Sequence, residues 1–313
     1  MLFKLIQFDE EKSVHNSING MAERFRKMLT EPGAIELPGC YDTLSAMVLE
    51  HVGFKACFLS GYGVAASLLG NPDIGLTSLS ETAMATKNTT NAIKIPLVVD
   101  ADNGYGNEDN VVRTVSELEH AGAAAMIMED QIMPKRCGHS ANKKVLPLDL
   151  YMKKLNCALK ARQTPMVLIA RTDVAEINEA IERVKCFHDA GADVTLIDGL
   201  QSLEVAEKVA TRVPGLKQIN LIYGGKTPIL SAKKLEEMGF KVLLYSTPAL
   251  YVAMHSMMTS LKMLREKSDL NVISSQSMPF KEFQAFVETH YFKRSYTAHL
   301  NNEDGPTPEK KAS

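Results

Sequence analysis

The segment 126–139 combines side chains that packing alone does not require. It passes from an apolar run through Glu129 into a loop where Lys135, Cys137 and His139 lie within five positions. Cationic neighbours lower the pKa of a thiol, so the pattern predicts that Cys137 exchanges protons near neutral pH. The alternative is a solvated basic loop with an incidental cysteine.

A second group of polar residues is acidic. Asp100 and Asp102 alternate at the end of an apolar run, which predicts that both side chains lie on one side of a strand. Glu129, at the end of the next run, would bring a third carboxylate close to them. Such carboxylates repel one another unless a cation neutralises them, and oxygen ligands favour Mg²⁺ or Mn²⁺ over zinc. The alternative is that one aspartate caps the following helix and the other pairs with a lysine.

Other candidates carry weaker signals. Asp73, in Asn71-Pro72-Asp73, could add a carboxylate, although a turn or an N-cap more commonly explains such an aspartate. The run Ser60-Gly61-Tyr62-Gly63 can offer backbone N–H groups to an anion.

Arg171 ends another apolar run, and a buried arginine requires a partner. A substrate carboxylate could accept two hydrogen bonds from its guanidinium. The alternative is an internal ion pair with Asp173 or Asp198.

The elements that must position these residues are short apolar runs alternating with helical patterns. We predict eight strands, at Ala34–Pro38, Ala56–Gly61, Ile95–Asp102, Ala123–Asp130, Met166–Thr172, Asp193–Asp198, Leu216–Tyr223 and Lys241–Ser246. We predict intervening helices at Glu108–Ala121, Leu148–Arg162, Ile177–Ala190, Ser202–Arg212 and Ser231–Met238. Eight such units predict an α/β fold, a (β/α)8 TIM barrel, with an open doubly wound sheet as the alternative.

The barrel prediction places the polar candidates together. In such barrels the chemistry lies where the strands end, at the C-terminal face, and the candidates fall at those ends. They include Asp198 after the sixth strand and Asn220 near the end of the seventh. We expect a leading helix at Asp9–Leu29 and closing helices at Ala249–Glu266 and Phe280–Leu300. Residues 1–300 would then form one domain, followed by a disordered tail at 301–313.

Composition excludes several classes of protein. The chain of 313 residues carries 35 lysines and arginines against 37 aspartates and glutamates, so its net charge of -2 predicts neither nucleic-acid nor membrane-surface binding. No apolar run is long enough to span a bilayer, and the short apolar start is followed by acidic residues, unlike a secretory signal. Five scattered cysteines favour reduced thiols and a cytoplasmic location.

Taken together, the motifs resemble the isocitrate lyase / phosphoenolpyruvate mutase superfamily. The closest resemblance is to the branch of 2-methylisocitrate lyase, 2,3-dimethylmalate lyase and carboxyphosphonoenolpyruvate mutase. It covers roughly residues 30 to 255. The motifs that carry it are Ser60-Gly61-x-Gly63, Asn71-Pro72-Asp73, Asp100-Ala-Asp102-x-Gly-Tyr-Gly106, Glu129-Asp-Gln131, Lys135-Arg-Cys-Gly-His139, Ala170-Arg-Thr-Asp173 and Gly225-Lys-Thr-Pro228.

The resemblance implies a (β/α)8 barrel that assembles as a homotetramer, a dimer of dimers, with a C-terminal helix exchanged between paired subunits. Mg²⁺ would be held by Asp100 and Asp102, with Glu129 and Asp73 acting directly or through water. The loop around 135–139 would close as a lid. The residues implied to contact the small carboxylate substrate are Ser60, Gly61, Tyr62, Gly138, Arg171, Asp198 and Asn220.

In the lyases of this superfamily the lid cysteine is the general acid, which implies that role for Cys137, with Lys135 and His139 tuning the lid. The implied activity is cleavage of a 2-substituted malate or methylisocitrate-like 2-hydroxy acid to a 2-oxo acid and a second carboxylate. The alternatives are a phosphonomutase acting on a carboxyphosphonoenolpyruvate-like compound and a non-catalytic metabolite-binding relative. Oxaloacetate hydrolysis or decarboxylation is a further possibility within the fold.

The chain departs from the lyase pattern at three places. Asp198 stands where these lyases carry glutamate, and Tyr223 replaces a glutamate of the seventh-strand motif. After His139 the chain reads Ser140, without the arginine of methylisocitrate lyases. Loss of that cation argues against a tricarboxylate substrate.

Overall fold

A computed structural model describes residues 10–140 and 142–299. Eight parallel strands close into a barrel in chain order, and β1 pairs with β8. The predicted TIM barrel is therefore confirmed, and the alternative of an open sheet is excluded. The strands are β1 Ile35–Cys40, β2 Cys57–Leu59, β3 Leu97–Asp100, β4 Ala125–Glu129, β5 Val167–Thr172, β6 Val194–Ile197, β7 Lys217–Leu221 and β8 Val242–Tyr245.

Helices follow the strands, and each predicted helix is present with ends that differ by a residue or a few. A π-helical turn, Ala65–Leu69, continues α3, and a 3₁₀ segment, Leu270–Gln276, precedes α11. The helices are α1 Glu10–Thr30, α2 Thr43–His51, α3 Gly61–Val64, α4 Leu79–Ala92, α5 Glu108–His120, α6 Leu148–Ala161, α7 Ile177–Asp189, α8 Leu203–Arg212, α9 Ala232–Glu237, α10 Pro248–Lys267 and α11 Phe280–His299.

The core fills the barrel, because most strand residues are apolar and buried on both faces. Strand β4, for example, is buried along its whole length. Phe25 and Leu29 of α1 join the same buried cluster as strand residues such as Leu37 and Val98. Burying these side chains stabilises the fold by roughly 1.5–3 kcal/mol each. Buried polar residues at the C-terminal ends of the strands, such as Asp100 and Arg171, mark where the site lies.

Glycines end three of the helices as predicted. Gly122, Gly191 and Gly239 have φ values of 85°, 101° and 96°, a left-handed conformation that residues other than glycine rarely adopt. Each glycine lets the chain leave its helix and enter the next strand, and so sets where that strand begins.

The chain divides into two compact units, and the division falls inside α10, after Tyr251. The first contains the barrel. In the second, Val252 and Met258 are 66% and 64% exposed, and α10 has no buried residue among those described. A single domain with an exchanged C-terminal helix stays a prediction, and the predicted tail at 301–313 lies outside the described residues.

Within the described residues, none of the helices combines the length and the apolar character that a membrane crossing requires.

Candidate active site at the C-terminal end of the barrel

A loop covers the C-terminal end of the barrel. It leaves β4 and returns to α6, and a β-bridge between Gln131 and Val145 joins its two ends. We call residues 131–145 the lid. Cys137, Gly138 and His139 of the lid line a cavity together with residues from the strand ends. The cavity measures only about 30 Å³, which holds ordered water but no substrate-sized molecule, so the lid lies closed.

Lys135 of the lid lies among the predicted metal ligands. Its ammonium contacts the carboxylate of Asp102 and lies 2.6 Å from Oδ1 of Asp73, and Lys135 is only 3% exposed. The alternative of a solvated basic loop is therefore excluded at this residue. Burial alone would lower the pKa of Lys135, but the carboxylates of Asp102, Asp100 and Glu129 hold it well above its usual range.

Two acids of the cluster have raised pKa values. Burial raises the pKa of Asp102 to about 6, although Lys135 opposes the shift, and burial raises the pKa of Glu129 well above its usual range. The buried Oε1 of Glu129 accepts no hydrogen bond from the described residues. Buried carboxylate oxygens, one of them without a hydrogen-bond partner among the described residues, fit a hard divalent cation.

The same carboxylates do not form a finished cage. Among the described residues, no three acidic, histidine or cysteine side chains converge closely enough to bind a metal ion as they stand. The ammonium of Lys135 is the cation that contacts Asp73 and Asp102. A divalent cation would therefore take the place of this ammonium, and the donor set fits it in charge and chemistry.

The prediction that strand alternation aligns Asp100 and Asp102 was wrong. Strand β3 ends at Asp100, and Asp102 lies in the following turn with a φ of 46°. The Asp102 carbonyl accepts a hydrogen bond of 2.8 Å from the Glu129 N–H, and Oδ1 of Asp100 accepts one of 3.2 Å from the Asp102 N–H. The turn, rather than the pleat of a strand, brings Asp102 to the cluster. Neither aspartate caps α5, because Asn107 does so.

Arg171 is enclosed by three carboxylates. Its guanidinium lies 2.9 Å from Asp173, 2.9 Å from Asp198 and 3.1 Å from Glu129. Burial alone would lower the pKa of Arg171, but these carboxylates raise it well above its usual range. The internal ion pairs that the sequence left as an alternative are therefore present. Lys143 of the lid adds a second cation, 2.7 Å from Oδ1 of Asp173.

The run after β2 also makes internal bonds. The Gly61 N–H donates to Oδ2 of Asp100 at 3.3 Å, and Oγ of Ser60 accepts from the Gly63 N–H at 3.3 Å. Both N–H groups are engaged, and Ser60 and Tyr62 line the cavity; the predicted contact of this run with an anion stays a prediction. A hydrogen bond with Tyr251 and burial raise the pKa of Tyr62 to about 12.

The prediction of a lowered thiol pKa was wrong. Burial raises the pKa of Cys137 above its ordinary value, and the backbone hydrogen bond at His139 opposes the shift only in part. The expected cationic neighbour, Lys135, turns away into the acidic cluster, and Arg171 is occupied by three carboxylates. Burial therefore favours the thiol form of Cys137 over the thiolate, and a thiol can act as a proton donor.

The remaining predicted residues meet at the sixth and seventh strands. Nδ2 of Asn220 donates to Oδ1 of Asp198 at 2.9 Å, and Nε2 of His139 lies 3.4 Å from the same oxygen. Burial alone would raise the pKa of Asp198, but Arg171 and His139 hold it well below its usual range. Gly138 lies directly on this group, since a Cβ there would overlap Asp198 and Arg171.

The sequence prediction missed several contributors. Lys143 pairs with Asp173, Ser246 donates to Oδ1 of Asn220 at 2.6 Å, and Lys226 contacts the lid. The position of Ser246 at the end of the eighth predicted strand was a usable signal for that residue. By contrast, Asp130 beside Glu129 faces away from the cavity and bonds to Arg183 at 3.1 Å.

Comparison with known proteins agrees with this geometry. Residues 25–265 match the family described as phosphoenolpyruvate phosphomutase. The chain is 34% identical over 266 residues to a 2,3-dimethylmalate lyase of Eubacterium barkeri, covering 84% of this chain and 92% of that protein. It is 37% identical over 273 residues to a chloroplastic carboxyvinyl-carboxyphosphonate phosphorylmutase of Arabidopsis thaliana, covering 85% and 80%.

A solved structure has the same fold as this chain. An oxaloacetate acetylhydrolase in complex with the inhibitor 3,3-difluorooxalacetate superposes with a TM-score of 0.82 at 32% identity, covering 90% of this chain and 97% of that one. The matched region contains the whole barrel and the lid. The chain belongs to the phosphoenolpyruvate phosphomutase family.

Proposed function

We propose that the protein is a Mg²⁺-dependent carbon–carbon lyase. Its substrate would be a 2-substituted malate or a methylisocitrate-like 2-hydroxy acid, and its products a 2-oxo acid of the pyruvate type and a second carboxylate. The similarity to 2,3-dimethylmalate lyase supports this reaction class. Such a cleavage requires stabilisation of an alkoxide, a proton for the departing carbanion, and exclusion of water.

The acidic cluster would hold the cation. Asp100, Asp102, Glu129 and Asp73 supply oxygen donors, and the buried Oε1 of Glu129, which accepts no hydrogen bond from the described residues, supports a divalent ion at this place. When bound, Mg²⁺ or Mn²⁺ would supply Lewis-acid stabilisation of negative charge on the substrate oxygens.

The observation that carries the proposal is the position of the Cys137 thiol over the shared cavity. Cys137, Asp100 and Arg171 line the same space, and burial keeps the thiol proton in place at neutral pH. The thiol can therefore give this proton to a carbanion formed in the cavity. The closed lid excludes bulk water, so the carbanion meets the thiol rather than solvent.

The cationic side chains would orient the substrate. Arg171 already contacts Glu129, Asp173 and Asp198 in the closed state, so a substrate carboxylate would share its N–H groups or displace Glu129. The Ser60 hydroxyl and Tyr62 would complete the carboxylate contacts from the opposite wall. His139 would hold the lid over them through its contact with Asp198.

The partner of the reaction would be a small-molecule carboxylate. We further propose a homotetramer, which the family resemblance supports, and a cytoplasmic location, which the free thiols support. All five cysteines are free, as is typical of a reducing compartment.

Two other reactions have specific support. The likeness to oxaloacetate acetylhydrolase supports oxaloacetate as an alternative substrate, and the likeness to the phosphorylmutase supports a phosphonomutase acting on a P–C compound. If the protein turns over oxaloacetate or a phosphonate and cleaves no substituted malate, the lyase proposal is wrong and the observed reaction takes its place.

The test is a substrate panel. Substituted malates, methylisocitrate, oxaloacetate and a carboxyphosphonoenolpyruvate analogue would be incubated with Mg²⁺, with 2-oxo acid release followed by a coupled dehydrogenase. We expect release from a substituted malate that disappears with EDTA and falls by about 10²–10⁴-fold in Cys137→Ser, the usual contribution of a general acid. Cys186→Ser, on α7 outside the cavity, is the matched control and should retain full activity.

A further inference from the structure

The turn after β7 bonds to the lid at two places. The N–H of Lys226 donates to Nδ1 of His139 at 2.9 Å, and Nζ of Lys226 donates to the carbonyl of Ser140 at 2.8 Å. These bonds join parts of the chain that lie 86 or 87 residues apart. Because Nδ1 accepts a hydrogen bond, the ring proton lies on Nε2, which faces Asp198.

Gly225 leaves the space that His139 occupies. A Cβ on Gly225 would lie 2.5 Å from Nδ1 of His139 and 3.0 Å from the carbonyl oxygen of Ile222. Gly225 is not among the residues with positive φ, so its backbone conformation does not require glycine. The missing side chain at this position therefore serves the seating of the imidazole.

The lid meets a second glycine at the sixth strand. A Cβ on Gly199 would lie 3.2 Å from the carbonyl oxygen of Gly138. The lid main chain at Gly138 and Ser140, on both sides of His139, thus lies against two turns of the barrel. Because Cys137 lies two residues before His139, we expect a change that releases His139 or Ser140 to loosen the thiol as well.

We propose that Gly225 and Lys226 are positioning residues that latch the lid closed over the site. Lys226 bonds to both His139 and Ser140, while Gly225 gives the imidazole room to seat. Neither residue lines the cavity. Their effect acts through Cys137, which reaches the position for proton donation only while the latch is formed. The catalytic part of this inference rests on the proposed function, but the latch itself does not.

The test that is independent of the reaction is alkylation of Cys137 by iodoacetamide. In Gly225→Ala and in Lys226→Met we expect Cys137 to react about two- to tenfold faster, as expected for the loss of one hydrogen bond. Lys226→Arg, which keeps a donor, should react at a rate close to that of the unmodified protein. Each variant carrying Cys137→Ser in addition measures the reaction of the other thiols, which is subtracted.

The matched control is Gly20→Ala, since a Cβ there meets nothing within 4 Å. Thermal unfolding of every variant shows whether the fold is intact. Because the two main variants alter different atoms, failure of one to fold leaves the other as the test. Equal alkylation rates in a folded Gly225→Ala or Lys226→Met and the unmodified protein would overturn the latch.

The steady-state constants give a second readout. A latch predicts a fall in kcat that exceeds any change in KM, because substrate binding is retained while the thiol is misplaced. A residue with only a structural role would change the unfolding temperature without this split. If the unmodified protein cleaves no substituted malate, the proposed function fails while the alkylation rates still decide whether the latch exists.

Discussion

Nη2 of Arg171 lies 2.9 Å from Oδ2 of Asp198, and Gly138 of the lid packs directly over this pair. Asp198 is one methylene shorter than the glutamate of the lyases that the chain resembles. The pair forms nevertheless. Asp198 is therefore compatible with a closed lid.

Removing the guanidinium should destabilise the fold. Arg171→Met leaves Glu129, Asp173 and Asp198 without their main cation, and we expect a loss of about 3–5 kcal/mol in the free energy of unfolding at neutral pH. Urea denaturation measures this loss. Arg113→Met, which removes an exposed i,i+4 pair with Glu117, should cost no more than about 0.5 kcal/mol. An equal loss in both variants would contradict the buried network.

The loss of stability in Arg171→Met should depend on pH in a defined direction. Arg171 lowers the pKa of Asp173 and Asp198 in the folded protein, which contributes stability that is present above their unfolded pKa values and lost as the pH falls. Without Arg171, burial raises the pKa of these acids. Their protonation at lower pH then removes the cost of burying unpaired negative charges. The deficit of Arg171→Met should therefore shrink between pH 7 and pH 5. Urea curves at both pH values measure it, and a deficit that grows on acidification would refute the explanation.

Cys137 should react slowly with alkylating agents at neutral pH. Because burial raises the pKa of its thiol, the rate of reaction with iodoacetamide should rise with pH through a midpoint above that of an ordinary cysteine. Mass spectrometry of the modified peptide follows this thiol alone, and free glutathione gives the reference. A midpoint below that of glutathione would contradict the raised pKa and support the lowered pKa that the sequence predicted from the cationic neighbours.

Lys135 should compete with the metal. Its ammonium occupies the space between Asp73 and Asp102, so Lys135→Met should bind Mg²⁺ more tightly, by about tenfold or ~1.4 kcal/mol. Isothermal titration without substrate measures the affinity. Lys144→Met, at an exposed lid position, is the control and should leave it unchanged. Weaker binding in Lys135→Met would mean that the lysine supports the metal site instead of competing for it.

Tyr223 should matter little for turnover. The residue is 84% exposed, so its side chain lies in solvent rather than over the cavity. Tyr223→Ala and Tyr223→Glu should therefore change kcat/KM by less than about twofold, the effect of an ordinary surface substitution. A larger loss in the assay of the preferred substrate would give the tyrosine a role that this exposure does not explain.

The barrel was predictable because its signals are local. Strands such as β3 and β4 are apolar runs that end in an acid, and a glycine such as Gly122 marks where a helix stops. The placement of Asp100, Asp73 and Arg171 at one end follows from the order of the strands. Those predictions needed only the chain and the known geometry of parallel barrels.

The electrostatics of the site were not predictable in the same way. The pKa of Cys137 depends on where Lys135 points, and a neighbour in sequence turned out to face other groups. The conformation of Asp102 depends on a turn that strand alternation does not describe. The contact between Lys226 and the lid joins distant segments, so only the folded chain reveals it.

The placement of Lys135 also bears on handling and storage of the protein. With its ammonium set between Asp73 and Asp102, the chain carries its own counter-ion for the acidic cluster. When a chelator removes the metal, the ammonium of Lys135 therefore still neutralises part of the charge of these acids and limits their mutual repulsion. We expect the apoprotein to stay folded through dialysis and to bind metal again when Mg²⁺ is added, so that loss of the metal is reversible.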